Sequence, residues 1–141
     1  QWDPYVMVFI APSAICLHID DILIYIGGAF TGIGDSTATN LGAVDKVVGT
    51  ATGQHIPIGD KLWDITTKGD SILFVGEFRD VDGVFRQYGA GINRQNWQLN
   101  NWKPELEDDG FLLENDGQEL FVGGKFFMTN TAERKNAYAI A

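Results

Sequence analysis

The sequence predicts an all-β fold that is assembled from a repeating unit of about 48 residues. Of its 141 residues, 17 are glycine and only two are methionine, while nine Phe, four Trp and four Tyr supply large apolar side chains. A chain this rich in glycine and aromatic residues favours short strands and turns over a helical bundle. The period of the repeat and the strand pattern inside each copy support the same fold class.

A glycine recurs at a constant interval along the chain, and a phenylalanine follows two positions after each one. The glycines are Gly28, Gly76 and Gly124, and the phenylalanines are Phe30, Phe78 and Phe126. The same spacing aligns three segments, IYIGGAF at 24–30, ILFVGEF at 72–78 and LFVGGKF at 120–126. The alignment needs no gap, which indicates three copies of one structural unit. We expect the three glycines to occupy equivalent backbone positions and the three phenylalanines to be buried.

Each unit is predicted to begin with three strands that are separated by turns. The first strand alternates, with apolar residues at every second position, such as Ile15 and Leu17 in the first copy. The continuous apolar run that follows fits a strand buried on both faces. Trp63 and Phe111 lie in phase with Ile15 and, together with Phe74, are expected in the core. A turn then leads into a third strand of small residues, at 41–44, 89–92 and 137–140.

A fourth element carries Trp and Pro, as WDP at 2–4 and WKP at 102–104, with Pro57 in the middle copy. Proline in sheets is confined to edges, so this element is predicted to be the outermost strand. Four short strands in a unit of this length are the proportions of one β-propeller blade. We therefore predict a β-propeller segment of about three four-stranded blades, and these blades are at 5–56, 57–103 and 104–141.

Three blades are too few for a propeller ring, which typically has about four to eight. By the phase of the repeat, Gln1 and Ala141 each fall inside a blade. Left open, the outer blade faces would expose apolar side chains, with Trp63, Phe74 and Phe121 as examples. We expect the chain to be part of a larger propeller or assembly. Its partners are then further blades of the same polypeptide or copies of itself, in a closed oligomer or a filament.

The repeats resemble those of a group of bacterial and fungal surface β-propellers. Blades of that family carry a pattern of the type LYVGGxFT, followed by LAAxD, TG and WxP. This chain has IYIGGAFT at 24–31, LGAVD at 41–45, TG at 52–53 and WKP at 102–104, while Val75 replaces the first glycine of the middle copy. The resemblance implies an extracellular or cell-surface location more than an activity, because most members of that family have no assigned function. We expect a structural, scaffold or adhesive role and no catalysis.

A weaker similarity runs to quinoprotein propellers, whose blades use AxDxxTGxxxW. Ala43, Asp45, Thr52 and Gly53 match pieces of this pattern, with an insertion between them. This similarity implies a third alternative, a fragment of a quinoprotein-type enzyme. A fluorescence titration with pyrroloquinoline quinone would distinguish that enzyme from a scaffold. No residues match a cofactor site, so we expect no cofactor.

Charge and composition exclude several partners. The 19 acidic and 10 basic residues give a net charge of −9, and a chain this acidic repels nucleic-acid phosphates and anionic membrane surfaces. The longest apolar stretch, at 6–17, has twelve residues and contains Pro12, so it is too short to span a bilayer. Cys16 is the only cysteine, which excludes an intrachain disulfide. We expect neither nucleic-acid binding nor a membrane span.

The polar residues offer no catalytic constellation. The two histidines are His18 and His55, and none of the serines lies in a Gly-x-Ser-x-Gly elbow. We therefore interpret His18 as a turn residue. Asp80 and Asp82 resemble the start of a calcium loop but lack its later ligands, and Asp82 occupies a turn position of the repeat. The sequence predicts no enzyme and no metal site.

Two tryptophans lie in a segment rich in amide side chains. Trp97 and Trp102 stand beside Asn96 and Asn101, and exposed Trp next to amides suits stacking and hydrogen bonding with sugars. These four residues form the candidate site of a glycan-binding, lectin-like alternative, with carbohydrate as the partner. The other interpretation is an outer strand whose tryptophans pack on the next blade. A glycan array would distinguish the two.

Overall fold

The computed structural model describes the backbone at residues 6–7, 13–126, 128–129, 132–133 and 137–140, and the side chains at 13–126. This part of the chain contains sixteen strands and no helix, so the predicted all-β class is confirmed. The WDP motif at 2–4 lies outside the described residues, and so do residues 130–131, where the sequence predicts the turn before the third strand of the last copy. The strands are β1 (Val6–Met7), β2 (Ser13–Ile19), β3 (Leu23–Ala29), β4 (Gly32–Ile33), β5 (Ser36–Thr37), β6 (Leu41–Asp45), β7 (Leu62–Lys68), β8 (Ser71–Gly76), β9 (Asp80–Val81), β10 (Val84–Phe85), β11 (Gly89–Asn93), β12 (Gly110–Asn115), β13 (Leu120–Gly124), β14 (Met128–Thr129), β15 (Ala132–Glu133) and β16 (Ala137–Ile140).

Nine of these strands form three antiparallel sheets of three strands each. Sheet 1 has the order β2–β3–β6, sheet 2 the order β7–β8–β11, and sheet 3 the order β12–β13–β16. A small hairpin stands between the second and third strand of every sheet, as β4–β5, β9–β10 or β14–β15, and β1 pairs with β4. The hairpins begin at Gly32, Asp80 and Met128, with the same spacing as the recurring glycines. The repeat is therefore present in the folded backbone, and we call its copies units 1, 2 and 3.

The recurring glycines lie at equivalent positions, as predicted, where two strands approach closely. A Cβ on any of them would meet a backbone carbonyl oxygen of the first strand or of the residue before it. The glycine and oxygen pairs are Gly28 with Ser13, Gly76 with Lys61 and Gly124 with Asp109. Beside each pair, the first strand shifts its register, as it does between Leu62 and Asp64. Glycine is required here because any side chain would push the bulged strand away.

Two of the three core clusters lie between successive sheets, and the third packs Ile26 and Val44 of sheet 1 with Phe30 and Ile33 on the other face of that sheet. One cluster of buried side chains joins sheets 1 and 2, with Tyr25 on one side and Ile65 on the other. A second cluster joins sheets 2 and 3, with Leu73 and Leu113 in the corresponding places. We call the contact between two successive sheets a junction. In both junctions, the first strand of the following sheet packs on the first two strands of the preceding one. The three sheets therefore stack in chain order.

The aromatic residues follow the prediction only in part. All three recurring phenylalanines are buried, which confirms that expectation. Phe74 is buried between sheets 1 and 2, so it belongs to the core and not to an open face. Trp63 and Phe111 are only half-buried, and their expected place in the core is wrong. They lie at the register shifts of β7 and β12, which turn them out of the core, and their rings meet edge to face 5.7 Å apart.

The predicted fourth strand is reduced to a single bridge in units 1 and 2. Ala51 pairs with Val44, and Leu99 pairs with Ile92. The residues that follow each bridge are mostly polar and end in a proline, which lacks the N–H needed for a ladder. Within the described residues, each sheet therefore has three strands. Residues 51–58 and 99–106 follow the third strands of sheets 1 and 2, and we call them the outer segments.

Candidate functional site

An open groove of about 750 Å³ lies where units 1 and 2 meet at the surface. The outer segment of unit 1, the β9–β10 hairpin and the turn that follows β11 all contribute residues to it. The apolar residues of the lining are Ile56, Pro57, Val84, Trp97 and Leu99, and the polar ones are His55, Asp82, Asn96 and Gln98. A groove lined about equally by apolar and polar residues can hold a small polar molecule that also has an apolar face.

The turn that follows β11 places Asn96 and Trp97 beside the groove. The side-chain oxygen of Asn93 accepts two backbone N–H groups of this turn, at 2.8 and 3.3 Å. The N–H of Trp97 donates to the Asn93 carbonyl at 2.9 Å and closes the turn. The same turn occurs one unit earlier, from Asp45 to Gly49, with the same pattern of hydrogen bonds. The groove therefore uses a turn that belongs to the repeat itself.

Trp97 faces the core and not the solvent. Its side chain is 3% exposed and packs in the cluster between sheets 1 and 2. Its φ of 57° is left-handed, as is the φ of 74° at Gly49 one unit earlier, and this conformation is unfavourable for a residue with a Cβ. Among the described residues, its Nε1 is buried without a hydrogen-bond partner. The indole face is thus closed to a stacking sugar, and of the two alternatives for Trp97 the one in which it packs between units agrees with the structure.

The other three predicted site residues do not come together. Asn96 is exposed at the groove, and its side-chain oxygen accepts the N–H of Gln98 at 3.0 Å. Trp102 is half-buried against the core between sheets 2 and 3, and Asn101 is exposed beside it. Neither Trp102 nor Asn101 lines the groove. The structure therefore brings Asn96 to the groove with the buried Trp97 and leaves the second pair outside it.

Sequence reasoning missed the contribution of His55, Asp82 and Gln98 to this groove. His55 Nε2 lies 3.0 Å from Thr39 Oγ1. Asp82 has a left-handed φ of 51°, and its N–H donates to the Pro57 carbonyl at 2.7 Å. This bond ties the β9–β10 hairpin of unit 2 to the outer segment of unit 1. The repeat could have predicted this groove, because the outer parts of adjacent units must lie side by side once the sheets stack.

A charged cluster around Asp20 joins the turns of sheets 1 and 2. Its carboxylate accepts the N–H of Ile22 at 2.8 Å, the N–H of Leu23 at 2.7 Å and the hydroxyl of Tyr25 at 2.9 Å. Arg94 of unit 2 pairs with the same carboxylate at 2.5 Å. Burial alone would raise the pKa of Asp20, but these hydrogen bonds outweigh it and lower the pKa to about 2.

His18 and Cys16 lie near the same junction. His18 Nε2 is 2.9 Å from Thr67 Oγ1 of sheet 2, and burial lowers the pKa of this histidine despite the nearby charges of Asp20 and Asp64. Burial raises the pKa of the Cys16 thiol to about 12. The thiol is therefore protonated at neutral pH and is a poor nucleophile. His18 lies within β2 and pairs with Tyr25, so its interpretation as a turn residue is wrong. Its side chain instead bonds one sheet to the next.

We expect acid to remove the contribution of Asp20 to stability. Its pKa is about 2 in the folded chain against an ordinary 3.8, so the folded state binds the proton less readily than the unfolded state. The stabilisation is complete above about pH 3.8 and is lost as the pH falls through about 2. Asp20→Asn should lower the free energy of unfolding by about 1 to 3 kcal/mol at neutral pH and by little at pH 2.

Urea denaturation of both proteins over this pH range measures the difference. Asp21→Asn is the matched control, because Asp21 is exposed and adjacent to Asp20, and it should change stability little at any pH. An equal loss of unfolding free energy from Asp20→Asn at neutral pH and at pH 2 would contradict a stabilising role for the ionised Asp20 carboxylate.

Among residues 13–126, no group of three or more His, Cys, Asp or Glu side chains is placed to hold a metal ion. The described part of the chain has no helix that is both long and apolar enough to cross a membrane. Comparison with known protein families finds no family that matches this chain, and comparison with curated proteins finds no similar sequence. A functional interpretation therefore depends on the sheets, the groove and the junctions between units.

Proposed function

We propose that this chain is a non-enzymatic β-propeller repeat protein that serves as a scaffold or adhesive unit outside the cell or on its surface. The observation that carries the proposal is the stacking of three equivalent sheets in chain order, through the same strands at each junction. Repetition of small antiparallel sheets, packed face to face, is the construction principle of propellers. An experimental structure in which the sheets stack along a line, with no turn around an axis, would overturn the propeller part.

The polar groups at the junctions support a structural role. Asp20 and Arg94 join sheets 1 and 2 by an ion pair. Asp64 joins sheets 2 and 3, because its carboxylate accepts the N–H of Leu113 at 2.8 Å. Burial raises the pKa of Asp64, so this carboxylate depends on such bonds for its place between the sheets. These titratable side chains hold units together.

The extracellular location rests on the resemblance of the repeats to surface propellers, and labelling of intact cells tests it. A membrane-impermeant, amine-reactive biotin should label the chain on intact cells of its source. Exposed lysines such as Lys46 and Lys103 provide the reactive amines. A cytoplasmic protein of the same cells is the control and should stay unlabelled. Label that enters the chain only after lysis would overturn the location.

The groove supports a second candidate function, the binding of a carbohydrate. Sugars combine apolar ring faces with polar edges. The groove offers Pro57 and Val84 as apolar surface and the amides of Asn96 and Gln98 as hydrogen-bonding groups. Trp97 lies beneath this surface as part of the core, so an apolar contact of the sugar would fall on the aliphatic residues.

Gln98→Ala tests the second candidate at little cost to the fold. The side chain of Gln98 is exposed, and the turn bonds made by its backbone to Asn93 and Asn96 remain in the variant. On a glycan array, we expect a saturable signal from the wild type and a signal about tenfold weaker from Gln98→Ala, as for the loss of one hydrogen bond. Asn101→Ala removes an exposed amide outside the groove and is the matched control. No saturable signal from the wild type, or equal losses in both variants, would contradict carbohydrate binding.

A further inference from the structure

Sheet 1 carries exposed apolar side chains on the face that points away from sheet 2. Leu17 on β2 is 61% exposed, whereas Ile65, the equivalent residue one unit later, is 3% exposed. Ile19 stands two residues further along the same strand and is also exposed, so both side chains point to one side. We call the surface formed by Leu17 and Ile19 the leading face.

Sheet 3 carries a matching surface at the other end of the stack. Phe121 on β13 is 41% exposed, whereas Leu73, the equivalent residue one unit earlier, is 3% exposed. Leu113 pairs with Val122, and both are buried toward sheet 2. The neighbouring Phe121 and Leu112 therefore point to the opposite side, where both are exposed. We call the surface formed by Leu112 and Phe121 the trailing face.

The chain already contains two junctions made from these two kinds of face. Ile65 holds the leading position on sheet 2 and packs in the same cluster as Tyr25 of sheet 1. Leu113 holds the leading position on sheet 3 and packs in the same cluster as Leu73 of sheet 2. At both junctions, an apolar residue in the leading position thus shares a buried cluster with an apolar residue in the trailing position.

On the leading face, Leu17 and Ile19 of β2 are exposed beside Ile26 and Val44, which are already buried in a cluster within unit 1. The part of this face along β2 and the trailing face are therefore the surfaces left for a further junction.

Unit 1, which carries the leading face, also has a basic side chain, Lys46, that is equivalent to a junction residue. At the first junction, Asp20 of unit 1 pairs with Arg94 of unit 2. Lys46 is the equivalent of Arg94 one unit earlier. The backbone N–H of each residue donates to a carbonyl of the turn between the first two strands of its own sheet, and the side chain of each donates to a second carbonyl there. Lys46 therefore occupies the same local position as Arg94.

An acidic side chain stands in the corresponding place at the trailing end. Asp116 is the equivalent of Asp20 two units later. Each carboxylate accepts two backbone N–H groups of its own turn, at 2.7 and 2.8 Å for Asp20 and at 2.8 and 2.9 Å for Asp116. If a second chain continues the stack, its Lys46 lies opposite Asp116, as Arg94 lies opposite Asp20. The apolar faces and the charged pair thus give the same alignment.

We propose that the trailing face of one chain binds the leading face of a second copy of the same chain. Leu112 and Phe121 then pack on Leu17 of the second copy, and Asp116 pairs with its Lys46. This inference rests on the proposed scaffold function and names its partner. Two chains joined at both ends form a ring of six sheets, from three in each, which lies within the range of propellers. Copies whose contacts do not close instead form a filament.

Sedimentation of two variants, alone and mixed, tests the head-to-tail contact. Leu17→Asp damages only the leading face, and Phe121→Asp damages only the trailing face. We expect the wild type to associate at micromolar concentration and each variant alone to associate at least about tenfold more weakly. An equimolar mixture should recover a heterodimer, because each variant keeps the face that the other lacks. Phe85→Asp is the matched control, since Phe85 is 68% exposed on β10 away from both faces and should not affect association.

The sedimentation results distinguish a head-to-tail contact from a contact between identical faces and from a nonspecific contact. A contact between identical faces would leave one variant associated on its own, and a nonspecific contact would be weakened equally by Phe85→Asp. Either result overturns the proposal, as does a folded wild-type chain that stays monomeric. Circular dichroism shows whether each variant keeps the β fold. Lys46→Glu should weaken association severalfold, and addition of Asp116→Lys should restore it.

The sedimentation experiment and the cell-labelling experiment distinguish a failure of the head-to-tail contact from a failure of the proposed function. A monomeric chain on the cell surface would overturn self-association and leave the location and scaffold role standing. A chain that is labelled only after lysis would overturn the proposed function even if it forms head-to-tail oligomers.

Discussion

Phe78→Ala will lower the free energy of unfolding by about 3 to 5 kcal/mol. Phe78 is fully buried in the cluster between sheets 1 and 2, and its ring centroid lies 5.5 Å from that of Phe74. Its removal leaves a cavity at a junction that the surrounding strands cannot close, because both sheets are tied by their own ladders. A loss of this size is a large share of the stability of an ordinary domain.

Phe85→Ala is the control for this substitution. Phe85 has the same side chain but lies exposed on β10, so its truncation should shift stability by no more than about 0.5 kcal/mol. Urea denaturation followed by circular dichroism measures both variants. Similar losses from the two substitutions would show that the cluster around Phe78 is not the core of the molecule.

The repeat and its buried anchors could be predicted because they depend on short stretches of sequence. A phenylalanine two positions after a glycine, such as Phe78 after Gly76, recurs with the period of the unit. Each of the three phenylalanines lies in a buried cluster, so the recurring spacing was enough to predict their burial. The hairpins at Gly32, Asp80 and Met128 follow from the same period. Local sequence therefore predicted the three main strands of each unit in order, but neither the short strands of the hairpins nor the reduction of the fourth strand to a bridge.

The alternation of apolar residues predicted the wrong burial for some side chains, because burial also depends on the register between paired strands. A strict alternation places Trp63 on the same face as Ile65, but β7 shifts register between Leu62 and Asp64. A shift of one residue reverses which side chains face the core. The size of a register shift depends on the partner strand, which is not visible in the strand's own residues. The reduction of the fourth strand to the bridge between Ala51 and Val44 is also a matter of pairing.

The candidate site was predicted only in part, for a similar reason. An amide-rich segment correctly placed Asn96 at the surface, but it did not reveal that the neighbouring Trp97 fills the core between sheets 1 and 2. Its alignment with Gly49 carried a signal, because glycine at that position indicates a left-handed turn. The meeting of His55 with Gln98 in one groove depends on how two units stack, which no single stretch of sequence contains.

Gly76→Ala should be at least as damaging as the loss of a buried aromatic ring, although it adds a single methyl group. The new Cβ would lie against the backbone carbonyl oxygen of Lys61 and close to the Cα of Leu62. Backbone atoms cannot turn aside as a flexible side chain can, so β7 and β8 must separate at their bulge. Separation breaks ladder bonds and disturbs the clusters on both sides of sheet 2. We expect a loss of about 3 kcal/mol or more, at or above the upper end for overpacked cores.

Gly91→Ala tests whether the backbone contact is the cause. Gly91 lies on the adjacent strand β11, and a Cβ there would meet only side chains, the amide of Asn100 and a methyl of Leu73. These groups can shift, so the same chemical change should cost less, about 1 to 2 kcal/mol. Thermal and urea denaturation of the two variants give the comparison. Equal losses, or a smaller loss from Gly76→Ala, would contradict the view that each unit needs its glycine so that the second strand can approach the backbone of the first.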